Sequence, residues 1–213
     1  MKNYPPSLRR YHLDKFLTNN IELMKGIVID IGGKKNNPRG KFRPPLKQVE
    51  KWIYINNDAS TNPDIISDVN QIPLESDLAD FFICTEVLEY LNNPHEMLIE
   101  AKRILKKNGK GIITSPFMNP IHGDFKLDKV RYSKTHLENI IIESGFEIIE
   151  TIELGSIGSV IFDSLKVQMR ENDSKILNFI IDKLLPVFKM IDYLTEKSRK
   201  FVNTGYFVIV RNS

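Results

Sequence analysis

The sequence predicts an α/β fold: a doubly wound, mostly parallel sheet of seven strands in one domain. Short β-branched runs with few charges recur along the chain, as in strands buried on both faces of a parallel sheet. Amphipathic helical segments separate several of these runs, and such alternation implies right-handed crossovers. The 213 residues are enough for one domain with a sizeable core.

Seven apolar runs are the predicted strands: 26–30, 51–56, 63–67, 80–85, 110–116, 146–154 and 205–212. The run at 146–154 alternates apolar and polar residues more than the others, which favours a position near a sheet edge. The last run is predicted to close the sheet as an edge strand.

Two helices are well marked between strands. In 94–107, Asn93 is the predicted cap, Pro94 suits the first helical position and Gly109 follows the end. In 135–144, Thr135 and Glu138 have the spacing of a capping box.

Two further helical regions and an irregular crossover complete the chain. Residues 7–24 and most of 158–200 are also predicted helices. The prolines and glycine of 33–45 exclude a long helix in the first crossover, leaving at most a short one near 46–51.

We therefore predict one domain over 1–213. It divides into an N-terminal helix (1–25), a cofactor-binding core (26–155), a helical insertion or cap (156–203) and a closing edge strand (204–213).

Composition excludes several classes of protein. The net charge is +3 with Lys and Arg spread along the chain, which gives no sign of nucleic-acid binding. The single cysteine, Cys84, is expected to be buried, excludes an internal disulfide and fits a cytoplasmic protein. We expect no signal peptide and no transmembrane span. The apolar stretch 176–194 could lie on a membrane or a partner, but a helix pair covering the domain's own core is favoured.

Polar residues and glycines follow the first four predicted strands. They are Asp30, Gly32 and Gly33, then Asp58, then Asp68, and finally Thr85 and Glu86. Ligands of open α/β sheets bind beyond the carboxyl ends of the strands. Glycine allows close backbone approach, Asp58 could accept from ribose hydroxyls, and Asp68 could accept from an exocyclic amine. Each could instead serve only a turn.

No glycine-rich pyrophosphate fingerprint is present, neither G-x-G-x-x-G nor G-x-x-x-x-G-K-[ST]. The pattern therefore favours a nucleoside site over an NAD or ATP site.

Three stretches carry a resemblance to a known family: "VIDIGG", "YINNDASTNPDIISDVNQIPLESDLADFFICTEVLEYLNNPHEMLIEAKRILKKNGKGIITSPF" and "IHGDFKLDKVRYSKTHLENIIIESGFEIIE". The chain resembles the class I S-adenosylmethionine-dependent methyltransferases, especially bacterial members associated with polysaccharide and glycan biosynthesis. The resemblance implies a Rossmann-like fold with S-adenosylmethionine as cofactor. It implies that Asp30, Gly32 and Gly33 border the methionine part, Asp58 binds the ribose, Asp68 and Val69 meet the adenine, and Thr85 and Glu86 lie near the reacting end.

The sequence departs from this family at two places. Lys34 and Lys35 replace the usual third glycine, so Lys34, Lys35 or Arg39 could supply a cation for the cofactor's carboxylate. Tyr90 stands where some relatives have a metal-binding histidine, so no metal is expected.

His122, with Asp124 two residues on, is the candidate general base for methylation of a sugar or other small-molecule hydroxyl. A turn cap or a purely substrate-binding residue is the alternative. Asp128 and Arg131 are candidate acceptor-binding residues.

Other functions stay open. The acceptor could be a lipid quinone or an amine, and the fold could serve a non-catalytic binding protein. A nicotinamide-dependent enzyme is disfavoured. We expect 158–200 to line the acceptor cleft, where a deep apolar pocket favours a lipid and a polar, aromatic one favours a sugar.

Overall fold

The computed structural model describes residues 7–36, 40–121, 126–171 and 175–213. Seven strands form one sheet in this part of the chain: β1 (Ile27–Ile31), β2 (Lys51–Asn56), β3 (Ile65–Ile66), β4 (Ala79–Thr85), β5 (Leu105–Pro116), β6 (Glu147–Leu154) and β7 (Gly205–Arg211). Five α-helices accompany it: α1 (Leu8–Asn19), α2 (Pro94–Ile104), α3 (Lys134–Glu143), α4 (Ile157–Glu171) and α5 (Lys175–Leu194).

The sheet order is β3-β2-β1-β4-β5-β7-β6. The first five strands of this order, β3, β2, β1, β4 and β5, are parallel to one another. β7 runs antiparallel to both β5 and β6. The prediction of a mostly parallel sheet is therefore wrong, because the sheet is mixed. The chain leaves β6 at Leu154 and returns at Gly205, its partner in the register, so β7 must run back across the sheet.

The position predicted for the last strand is also wrong. β7 lies between β5 and β6, and its residues from Gly205 to Val210 are all buried. β6 is the edge strand, in agreement with its alternating pattern. β7 is apolar because both of its faces are buried, as is typical of a strand inside a sheet.

Helices cover both faces of the sheet. α1 packs Leu13 and Leu17 against a cluster that includes Phe81 and Phe207. On the other face α2 and α3 contribute to a second cluster through residues such as Met97. Cys84 is fully buried, as expected.

Several helix boundaries differ from prediction. α1 ends at Asn19 and a short 3₁₀ turn follows. α2 ends at Ile104, because Leu105 already has extended backbone angles and pairs with Ala79 of β4. Gly109 therefore lies inside β5 and does not terminate the helix.

The predicted start of α2 is confirmed, whereas the cap predicted for α3 is wrong. Asn93 is the N-cap residue of α2 and Pro94 its first residue, although the Asn93 side chain donates to Glu96 and accepts no helix N–H. Ser133, not Thr135, accepts from a backbone N–H and caps α3.

The first crossover contains no α-helix among its described residues, as predicted. The short helix expected near 46–51 does not form, since Gln48 N donates to Pro45 O in a turn and β2 begins at Lys51.

The helix pair α4–α5 connects β6 to β7 and is tied to α1 by buried acids. Asp163 accepts the backbone N–H groups of Leu8 and Arg9 at 2.7 and 2.9 Å. Asp192, whose pKa is lowered to about 2 although burial opposes this, accepts from His12 and from two serines at the start of α4. No described helix is long and apolar enough to cross a membrane.

Candidate functional site

One cavity of about 850 Å³ lies at the carboxyl edge of the sheet, where the parallel strands end. All eight predicted cofactor-binding residues line it: Asp30, Gly32, Gly33, Asp58, Asp68, Val69, Thr85 and Glu86. The strand-end rule thus gathered residues from four separate turns into one place.

The turn after β1 brings backbone to the cavity wall. Gly32 has φ +77°, and a Cβ there would lie 2.4 Å from a methyl carbon of Val87. Its N–H donates to Ile55 O at 2.8 Å, and the Asn56 amide donates to the carbonyls of Gly32 and Gly33 at 3.1 Å. Only glycine fits Gly32, since any side chain would be both strained and blocked.

Asp30 lies behind this turn. Its carboxylate accepts from Trp52 Nε1 at 3.1 Å. Loss of hydration raises the pKa of Asp30 to about 7, although the Trp52 hydrogen bond opposes the shift. A Cβ on Gly33 would lie 2.4 Å from the carboxyl carbon of Asp30, so Gly33 leaves room for this acid. The cavity thus holds a carboxyl that titrates near neutrality.

Two acids from the next two turns are exposed to the cavity. Asp58 Oδ1 accepts from Ser60 N at 2.9 Å and Ser60 Oγ at 2.6 Å, and this bonding lowers the pKa of Asp58. Asp68 accepts from Asn70 N at 2.9 Å. The buried Oδ1 of Asn70, a further lining residue, has no hydrogen-bond partner among the described residues. These turns offer acceptors to a ligand that carries hydroxyl or amine donors.

Glu86 is the most tightly held residue of the site. It has φ +57° directly after β4, and its carboxylate accepts from Arg9 at 2.5 and 3.2 Å. Thr114 Oγ1 also donates to Glu86 at 3.0 Å. Arg9 and Glu86 are both almost fully buried, so this ion pair fastens α1 to the cavity wall.

The predicted acceptor and catalytic residues have different outcomes. Arg131 donates twice to Asp128 in an ion pair, and neither residue lines the cavity. Their neighbours Leu127 and Lys129 do line it. His122 and Asp124 lie outside the described residues.

Of the three cations predicted for the methionine end of the cofactor, Lys34 and Lys35 line the cavity. Lys35 lines the cavity but is hydrogen-bonded to Asp64 and lies over the Tyr54 ring. Lys34 lines the cavity, whereas Arg39 lies outside the described residues.

Sequence reasoning missed two arginines that line the cavity. Arg10 comes from α1 and Arg43 from the segment 40–46. This segment is held against α1, since Lys41 N donates to Asp14 Oδ2 at 2.6 Å. No local pattern marks these arginines, because a fold places them through contacts between distant parts of the chain.

The expectation that 158–200 lines the cleft is not met. Among the described residues, none of the cavity lining comes from α4 or α5. Within the described ranges no group of three or more His, Cys, Asp or Glu residues could hold a metal ion.

Residues 47–113 match the family model of a methyltransferase domain. A solved S-adenosylmethionine-dependent methyltransferase from Archaeoglobus fulgidus superposes with a TM-score of 0.61 at 19% identity, over 95% of this chain and 94% of that one. The chain has a Rossmann-like methyltransferase fold. The chain is thus similar to methyltransferases in sequence over 47–113 and in fold over most of its length.

Two further proteins are similar over different lengths. Geranyl diphosphate C-methyltransferase from Streptomyces coelicolor, solved with S-adenosylhomocysteine, has a TM-score of 0.62 at 10% identity over 94% of this chain and 75% of that one. An uncharacterized protein of Methanocaldococcus jannaschii is 36% identical over 92 residues, or 43% of this chain. The matched part spans 44% of that curated relative.

Proposed function

We propose that this protein is an S-adenosylmethionine-dependent methyltransferase that methylates a hydroxyl of a sugar or another small molecule. One observation carries the proposal: eight residues chosen from four separate turns line a single cavity at the carboxyl edge of a methyltransferase-like sheet. Residues 47–113, which match the family model, include Asp58, Asp68 and Glu86.

The residues present fit the cofactor. Asp58, Asp68 and Val69 line the cavity, and we propose that Asp58 accepts from ribose hydroxyls and that Asp68 with Val69 meets the adenine. The orphaned Oδ1 of Asn70 provides a further acceptor beside them. Gly32 lets the backbone approach the ligand, and the ionised form of Asp30 attracts its positive charge.

Arg10 and Arg43 are the proposed cations for the cofactor's carboxylate. Both line the cavity, and the loop that carries Arg43 is docked on α1 beside Arg10. Lys35 pairs with Asp64 and Arg10 lies 3.7 Å from Asp14, whereas Arg43 donates to the backbone carbonyls of Gly40 and Phe42, so Arg43 is the stronger candidate.

In the proposed reaction, S-adenosylmethionine supplies a methyl group on a sulfonium that departs as a neutral thioether. The protein must align the acceptor oxygen with that methyl and remove the hydroxyl proton. His122, oriented by Asp124, is proposed as the base from its sequence position after β5.

A polar acceptor is favoured by the cavity wall after the β4 turn. Tyr90, Asn92 and Lys129 line this part together with the apolar Val87, Leu91 and Leu127, and Lys129 Nζ donates to Asn92 Oδ1 at 2.6 Å. Hydroxyl, amide and ammonium groups suit a polyhydroxylated acceptor better than an apolar quinone. An acceptor sugar from polysaccharide biosynthesis belongs to this class.

The proposed division of the chain agrees with this site. The lining residues come from the N-terminal helix (1–25) and the core (26–155). The segment 156–203 is proposed as a cap that braces α1, through Asp163 and Asp192.

Calorimetric titration with S-adenosylhomocysteine tests the cofactor assignment, and absence of binding would refute it. A methyl-transfer assay then compares sugar, quinone and amine acceptors. His122→Gln is expected to lower turnover by about 10²–10⁴-fold with little change in cofactor affinity, as for loss of a general base. Unchanged turnover would remove His122 from the mechanism.

A further inference from the structure

The outward face of α5 carries an apolar stripe along its length. Its members recur every three or four residues along the helix and are between 40% and 75% exposed: Ile176, Ile180, Leu184, Val187, Met190 and Leu194. The aromatic residues Phe179 and Tyr193 flank it and are 63% and 75% exposed. We call this surface the outer stripe.

The opposite face of α5 is already covered by the protein. Ile181 is 7% exposed and forms a cluster with Leu8 and Phe162, while Asp192 is 2% exposed. A surface helix normally buries one apolar face and shows a polar one to water. α5 is apolar on both sides, so its outer stripe calls for a second apolar contact.

The segment that carries this stripe is basic. Residues 175–201 contain six Lys or Arg and three Asp or Glu, which gives this segment the net +3 of the whole chain. The three acids have partners: Lys166 binds Asp182, Arg199 binds Glu196, and Asp192 is held in its buried network.

The lysines at this surface have no such partners. In the described part of the chain, Lys183, Lys197 and Lys200 have no carboxylate within ion-pair distance. Lys183 lies within the stripe with its ammonium 5.4 Å from the Phe179 ring, and Lys200 lies 4.9 Å from the ring of Phe201, which is 68% exposed. Basic groups interleaved with exposed aromatic and aliphatic side chains are typical of helices at a lipid interface.

We infer that the outer stripe of α5 docks on an anionic lipid surface. The apolar side chains enter the boundary between headgroups and acyl chains, and the lysines extend their ammonium groups to the phosphates. A second copy of this chain fits less well, because a symmetric contact would oppose two segments of charge +3 and cover Lys183 with apolar side chains.

The position of α5 links this surface to the cavity. α4 and α5 connect Leu154 to Gly205, and Gly205 pairs with Pro116 at the carboxyl end of β5. The helix pair therefore leaves and rejoins the sheet at the edge that carries the cavity. The inference goes beyond the proposed function, because lipid binding does not require methyl transfer.

Flotation of the full-length protein with vesicles tests the inference. Binding is expected to phosphatidylcholine vesicles containing phosphatidylglycerol, and weakly to pure phosphatidylcholine, with a decline as salt is raised. The variant Leu184→Ser/Leu194→Ser and the variant Lys197→Glu/Lys200→Glu are each expected to bind at least about tenfold more weakly. Ile142→Ser, which removes an apolar side chain of 57% exposure from α3, is the matched control and should bind as the parent does.

The affinity for S-adenosylhomocysteine measures the cofactor site independently of lipid binding. It should be the same in all three variants as in the parent, which would show that the variants fold. Equal binding to both kinds of vesicle, or full binding by both stripe variants, would overturn the inference. A dimer in sedimentation velocity that is lost in Leu184→Ser/Leu194→Ser, without any vesicle binding by the parent, would overturn it in favour of a second copy.

Discussion

The two ends of the cavity are built in different ways. The proposed nucleoside end uses Asp58, Asp68 and Val69, which follow consecutive strands closely. The proposed methionine end combines the turn after β1 with Arg10 from α1 and Arg43 from the segment 40–46.

The difference shows which parts of a site a local pattern can reveal. Residues that directly follow parallel strands share one sheet edge by construction, so their sequence position predicts their place. Arg10 and Arg43 reach the cavity only because α1 packs on the sheet and Asp14 binds the backbone of Lys41. Five predictions probe this contrast.

The largest effect is expected at the ion pair that fastens α1 to the cavity wall. Arg9→Met leaves Glu86 buried without its cation, and should lower the free energy of unfolding by about 3–5 kcal/mol, as for other broken buried pairs. Urea denaturation measures this. The double variant Arg9→Met/Glu86→Gln should recover part of the loss. A single variant as stable as the parent would show that the other contacts of α1, including those with Asp163 and Asp192, hold it without this ion pair.

At the nucleoside end, Asp58→Ala should weaken S-adenosylhomocysteine binding by about 10–100-fold, because hydrogen bonds to a charged group contribute about 1.5–3 kcal/mol. Calorimetry measures the affinity. Ser60→Ala is the control, since it removes the hydroxyl donor to Asp58 but keeps the carboxylate. If both variants bind equally, Asp58 serves only the turn.

At the methionine end, Arg43→Ala should weaken binding by about fivefold to tenfold, since exposed charge pairs contribute at most about 1 kcal/mol and partly buried ones somewhat more. Lys35→Ala should change it less than about twofold. The same titration ranks the two variants, and the reverse order would return the role to Lys35.

The smallest effect is a pH dependence. The pKa of Asp30 is raised to about 7, so its negative charge develops as pH rises through 7. Affinity for the cationic S-adenosylmethionine should increase a few-fold between about pH 6 and 8. Asp30→Asn should abolish this dependence, and Trp52→Phe should move its midpoint upward because a hydrogen bond that lowers the pKa is lost. A profile that Asp30→Asn leaves unaltered would assign the titration to another group.

The raised pKa of Asp30 also makes the free energy of unfolding depend on pH. The pKa of Asp30 is higher in the folded protein than its unfolded value of 3.8, so folding takes up a proton. The contribution of Asp30 to stability is therefore full below about pH 4 and is lost as pH rises to about 7. Asp30→Asn should flatten this part of the stability profile in urea denaturation.

The sequence by itself determined the strands, two well-marked helices, the absence of a long helix in the first crossover and the set of strand-end residues that share one cavity. These follow from local periodicity and from the geometry of parallel strands. Only the tertiary structure decided that β7 inserts between β5 and β6, that Arg9 joins Glu86, that Arg10 and Arg43 reach the cavity, and that the outer stripe of α5 stays uncovered. An apolar or charged residue carries its preference for a partner in the sequence, but which partner it meets depends on contacts between segments far apart in the chain.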